Sequence, residues 1–168
     1  MLNGEYGPSI EKAMQILVAL GEIYDAERMI PIGNVHMPGS SVVVAGDAGL
    51  SFVEKTAGTN VIFKAYTTLN TAAIDFERWK LIGTPEETAR KQVRLTEAYQ
   101  RMGAISCHTC TPYLIGNLPR MGERVAWGES SAIVFLNSVL GARTNREGGP
   151  SALASALTGL SLIHISEP

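Results

Sequence analysis

Cys107-His108-Thr109-Cys110 is the densest group of reactive side chains in the sequence. A Cys-x-x-Cys pair can bind zinc, ligate an iron–sulfur cluster or cycle as a redox dithiol. A structural zinc site needs four ligands, and beyond its two cysteines the chain adds only His36, His108 and His164. A redox dithiol usually opens a helix, whereas Pro112 follows here so closely that the segment reads as a strand running into a turn. A cluster needs more thiolates than this chain contains, unless part of the protein is missing. Two ordinary buried thiols are the remaining reading, and spacing alone leaves all of these open.

The run Arg143 to Gly149 is the second candidate. Its arginines offer planar donors to a carboxylate or phosphate, and Gly148-Gly149 lets backbone approach a ligand closely; a solvated loop tip has the same composition. Asp47, Asn70, Glu129, Ser130 and Ser131 lie where loops meet regular elements and could equally be caps or turn residues. No phosphate loop or dinucleotide fingerprint occurs, and spacing alone defines no Ser–His–Asp arrangement.

These groups need a frame. Ile10, Ala13, Met14, Leu17, Leu20, Ile23 and Tyr24 recur at helical spacing, which predicts an amphipathic helix to about Asp25 or Ala26. Met29 to Val35 and Val42-Val43-Val44 read as short strands separated by the Pro38 to Ser41 turn. Gly46 to Gly49 reads as a loop into a short helix ending near Gly58, and Val61 to Tyr66 as a buried strand whose end delivers Asn70 into a loop. Thr84-Pro85-Glu86-Glu87 predicts a helix start with a threonine cap, running to about Met102 with Gly103 as its stop. A strand over Ala104 to Thr109 would bring both cysteines to its end. An apolar helix should begin at Glu129 or Ser130 and close at Gly141, and a small-residue helix should cover Ser151 to Thr158. Alternating strands and helices give an α/β class, with functional groups in strand-to-helix loops.

Composition narrows the function classes. Of 168 residues, 45% are hydrophobic and 18% charged, so the chain carries enough apolar material for a packed core. The net charge of -2 comes without any block of like charge, which excludes an electrostatic footprint for nucleic acid or an acidic membrane surface. No apolar run reaches membrane-spanning length. Met1 to Gly7 lacks the basic and apolar regions of a signal peptide, so a cytoplasmic, reducing compartment is expected.

Longer motifs add a resemblance. Thr109-Cys110-Thr111-Pro112-Tyr113-Leu114, Gly116-Asn117-Leu118-Pro119-Arg120, Trp127-Gly128-Glu129-Ser130-Ser131 and the run from Asn137 to Pro150 closely resemble the catalytic large subunit, or large domain, of the aconitase X family. The likeness extends through Met1 to Gly7, Ile30 to Ile32, Gly46 to Gly49 and Thr67 to Asn70, and so covers residues 1–159. It implies the N-terminal part of an aconitase-like α/β catalytic domain. The implied activity is that of an iron–sulfur hydro-lyase removing water from a small hydroxy acid, of phosphomevalonate type. Cis-3-hydroxy-L-proline dehydration is the alternative within the family, and a non-catalytic anion-binding domain is the alternative outside it.

The resemblance further implies an iron–sulfur cluster with Cys110 as one ligand and Cys107 as a weaker candidate, the remaining cysteines lying outside this chain. It implies Asn70, Ser130, Ser131, Arg143, Asn145 and Arg146 around a small anionic substrate, and a small swivelling subunit or domain as partner. Thr71 and Ala73 stand where the family pattern has Pro and Gly, and Gly128 stands where Ala is common. Residues 160–168, Leu160 to Pro168, instead resemble a translated transposase-type sequencing adapter, which would remove His164 from any metal argument.

Overall fold

The computed structural model describes residues 1–71 and 74–163; the expectations for Ala73 and His164 fall outside the described residues. Helix α1 (Pro8–Ile23) starts with proline in its first turn and buries Ile10, Ala13, Met14 and Leu17 on one face, as the spacing predicts, but it stops short of Asp25 and leaves Ile23 and Tyr24 exposed. Strands β1 (Arg28–Pro31) and β2 (Asn34–Met37) follow. The valine run does not continue as a strand. Ser41 accepts a hydrogen bond from the Val43 amide and caps helix α2 (Val42–Ala57), while the Val42 amide is taken by Gln92 Oε1 at 2.9 Å. A short β-branched run fits either period, and here the cap and the lack of a strand partner decide it. Gly46, at φ 63° and ψ -172°, kinks α2, so the expected break at this glycine lies inside a helical segment.

Val61 to Ala65 is also not a strand. Its amides leave the sheet, Phe63 donating to Met102 O and Lys64 to Ala156 O, each at 2.8 Å. Strand β3 starts only at Tyr66 and ends at Leu69. Helix α3 (Glu86–Arg101) has Pro85 at its cap position and no side-chain cap, so Thr84 does not cap it. Strand β4 (Ile105–Ser106) is shorter than expected, and a 3-10 turn over Pro112–Ile115 precedes β5 (Ala126–Trp127). Helix α4 (Ser130–Phe135) passes into a π-helical turn (Leu136–Leu140) that closes at Gly141, φ 68°. Helix α5 (Gly149–Thr158) and strand β6 (Leu160–Ile163) complete the described chain.

Four strands form one parallel sheet in the order β4-β3-β2-β5, and β1 pairs with β6 antiparallel. Strand alternation splits the sheet's two faces chemically. Val35, Met37 and Leu69 enter the main core with Leu17 of α1, Val53 of α2, Leu95 of α3 and Leu157 of α5. Trp127 enters a smaller core with Val125, Ala132, Leu136 and Ala142. On that second side Asn34, His36 and Thr68 are buried but polar, and Asn117 from the loop after the 3-10 turn covers them.

Candidate functional site

Because β2, β3, β4 and β5 are parallel, their carboxyl ends share one edge, and the order turns at β2, with β3 on one side and β5 on the other. In open parallel sheets ligands bind outside the carboxyl ends, where the strand order reverses. Four loops leave this edge. They carry Pro38 to Ser41 after β2, Asn70 after β3, Cys107 to Cys110 after β4 and Glu129 after β5.

Their side chains meet. Asn70 Nδ2 donates to Cys110 Sγ at 3.1 Å and to Glu129 Oε1 at 2.8 Å, and Glu129 Oε1 also accepts from the Gly39 amide at 3.0 Å. Backbone bonds fix the same loops independently of these side chains: Asn70 N donates to Met37 O at 3.1 Å, and Ser40 N donates to Asn70 O at 2.8 Å. Glu129 holds φ 71°, a left-handed backbone that is costly for a non-glycine residue and that accompanies its carboxylate's position among three other loops. His108, at φ 51°, turns the loop between the cysteines and hydrogen-bonds Thr71 Oγ1 through Nδ1.

The two thiols differ. Cys110 is exposed, and its pKa is raised by desolvation and further by the Glu129 carboxylate. Cys107 is half-buried with Sγ facing two carbonyl oxygens, Leu69 O at 3.4 Å and Thr109 O at 3.8 Å, and desolvation raises its pKa too. Among the described residues no group of three or more His, Cys, Asp and Glu side chains could hold a metal ion. The residues present therefore fit a cluster only in part, with Cys110 offering one accessible sulfur.

An apolar cleft of about 620 Å³ opens beside Glu129, lined by Ser40, Phe52, Tyr99, Pro150 and Leu153 among others, with no lysine or arginine in its walls. With the site's position and geometry established, sequence comparison decides the family. Residues 1–162 match the aconitase X first domain. The chain belongs to the aconitase X family.

This aconitase X chain is 52% identical over 159 residues to the phosphomevalonate dehydratase large subunit of Methanothermobacter thermautotrophicus, covering 95% of the chain and 40% of that protein. It is 37% identical over 159 residues to the cis-3-hydroxy-L-proline dehydratase of Pseudomonas aeruginosa, covering 95% and 27%. The crystal structure of Thermococcus kodakaraensis aconitase X, described as the holo-form, superposes with a TM-score of 0.83 at 46% identity over 96% of this chain and 39% of that one. The chain thus spans about 40% of the length of the large subunits it matches.

Within the aconitase X chain, Asn70 and Cys110 come together, and Ser130 and Ser131 follow Glu129 as exposed residues at the start of α4. The Arg143 to Gly149 run is not a free loop. It lies along β5, bridging Arg124 to Arg143 and Trp127 to Arg146 in parallel. Asn137 of the π turn clamps Thr144 through both its amide atoms, and Trp127 N donates to Thr144 Oγ1 at 2.8 Å. Arg146 consequently lies at the carboxyl edge near Glu129, while the Arg143 backbone sits at the far end of β5. The Asn145 amide donates to Leu162 O at 2.6 Å, so it holds strand β6.

Two participants had weak signals in the sequence. Glu129 stands out as a residue at a loop boundary and as part of the Trp127 to Ser131 motif, but nothing in its spacing announces contacts 59 and 90 residues away. His36 entered only as a spare zinc ligand. It is fully buried, with Nδ1 at 2.9 Å from Thr68 Oγ1 and Nε2 without a partner among the described residues. Burial pushes its pKa down to about 4 against the opposing pull of Glu129. A histidine held neutral inside the sheet cannot join exposed Cys110 in a zinc site without leaving the core.

Proposed function

We propose that this chain is part of the large subunit of an iron–sulfur hydro-lyase acting on a small phosphorylated hydroxy acid, as the phosphomevalonate dehydratase relatives are named to do. The observation that carries the reading is the exposed Cys110 thiol held by Asn70 at the carboxyl edge of the sheet, in a chain more similar to those subunits than to the hydroxyproline enzymes. When bound, a cluster would supply Lewis-acid chemistry to a leaving hydroxyl. Cys110 would hold it from this chain, with further cysteines from the rest of the large subunit.

The chain's own groups divide the remaining work. Arg146 is exposed at the carboxyl edge and offers a planar donor fork to a phosphate or carboxylate. The Ser130 and Ser131 hydroxyls stand exposed beside Glu129 and can donate to substrate oxygens. Arg143 and Asn145 belong to the same run and stand behind Arg146 in it. A small subunit of the same enzyme would close the edge and exclude water, in keeping with the "large subunit" name of the relatives.

The test uses the full-length large subunit with its small partner, reconstituted anaerobically with iron and sulfide and assayed with phosphomevalonate and with cis-3-hydroxy-L-proline. Turnover of the phosphorylated substrate is expected. Cys110→Ser should lose both bound iron and activity; full iron content in that variant would remove Cys110 from the ligand set.

A further inference from the structure

Asn70 is only 5% exposed, although it stands at the edge where ligands would bind. A primary amide nitrogen carries two hydrogens. Both are engaged, one at Cys110 Sγ and one at Glu129 Oε1. The Glu129 carboxylate can only accept, so it selects the nitrogen of Asn70 and forbids the flipped amide. Glu129 is itself held by the Gly39 amide, which ties the acceptor to the turn after β2. Asn70's backbone is fixed by Met37 O and the Ser40 amide whatever its side chain does. The amide is thus aimed at the sulfur from a rigid mount, with no N–H left for a substrate.

Cys107 is placed differently. Its sulfur faces carbonyl oxygens only, whereas the Cys110 sulfur meets the Asn70 N–H as well as the Glu129 carboxylate, and of these contacts the N–H donor is the one that suits a sulfur carrying negative charge. We infer that Asn70 is a positioning residue for Cys110: its amide sets the direction of the sulfur and, once that sulfur is bound to iron, withdraws charge from it, with Glu129 holding the amide in place. This deepens the reading of Cys110 as a cluster ligand and rests on it. Hydrogen bonds to cluster sulfurs favour the more reduced state and raise the reduction potential.

The test compares the substrate-free, reconstituted full-length enzyme with its Asn70→Ala and Asn70→Leu variants. Both substitutions are neutral, and leucine keeps nearly the shape of asparagine if alanine impairs folding. The potential is read by redox titration followed by electron paramagnetic resonance, and the iron–sulfur(cysteine) stretch by resonance Raman. Both variants should shift the potential downward and move the stretch. An unchanged potential and stretch in a cluster-loaded variant overturns the positioning role, as does a variant whose only change is a higher KM, which would make Asn70 a substrate contact. Failure of the underlying reading looks different: Cys110→Ser would then keep its iron. Loss of iron in Cys110→Ser together with an unmoved potential in Asn70→Leu refutes only the role given to Asn70.

Discussion

His36 shows how much a single buried group can weigh. Its pKa falls from an ordinary 6.5 to about 4 because the imidazolium would have no water and no partner for Nε2. The folded state therefore binds fewer protons than the unfolded chain between those values. Its stabilising contribution is complete above pH 6.5, is lost as the pH falls towards about 4, and is worth about 3 kcal/mol across that span. Urea midpoints measured at pH 7, 5.5 and 4.5 should fall accordingly, and His36→Gln should flatten the trend. Gly128 makes a steric point of the same size. A Cβ there would overlap the Pro38 ring, so alanine does not fit this backbone. Gly128→Ala should cost about 1–3 kcal/mol by overpacking. Thermal unfolding checks it, with Pro38→Gly restoring the lost stability.

At the scale of elements, the turn that carries Gly39 is held by a residue from another helix. Gln92 of α3 is fully buried, accepts from Val42 N at 2.9 Å and donates to Ser40 O at 2.9 Å. Gln92→Leu would orphan a buried amide and a half-buried carbonyl, a cost of about 1–3 kcal/mol. A lowered thermal midpoint and faster amide exchange at Val42 are the expected readings. On the opposite face Asn34 accepts from Trp127 Nε1 at 2.8 Å and donates to Asn117 Oδ1 at 2.6 Å, while Asn117 donates to Thr68 at 3.0 Å. Asn34→Leu should destabilise by a similar amount and shift Trp127 fluorescence, because a half-satisfied polar network is worse than none.

The helices were legible where a periodic face or a terminal proline marked them, as in α1 and α5. The valine run and Val61 to Ala65 misled because short apolar runs carry no period of their own, and their hydrogen-bond partners lie on distant elements. The resemblance singled out Cys110 and Asn70 as residues but not the bond between them, and it expected Asn70 to face substrate. Glu129, Gln92 and His36 were not, since their roles exist only as contacts between loops far apart in sequence.

Across the whole molecule, apolar side chains remain at the surface. Val44 and Leu81 are each 84% exposed, and Met121 is 86% exposed. Such surface on a chain spanning about 40% of its relatives' length should drive self-association at micromolar concentration. Light scattering across a dilution series measures it; a monomer that stays monodisperse at high concentration would contradict it.

The convergence of four loops at one sheet edge has a temporal meaning. Gly39 and Glu129 are 90 residues apart, Asn70 and Glu129 59, and Asn70 and Cys110 40. Contacts of such long range close late, after the intervening chain has lost its freedom. Until β5 docks beside β2, Glu129 is absent from the edge and nothing aims Asn70 at Cys110. The order of events in folding follows: the sheet must be complete before Glu129 can hold the Asn70 amide against Cys110, so a chain caught part-way through folding leaves that thiol unguided, and a finished one holds it already aimed.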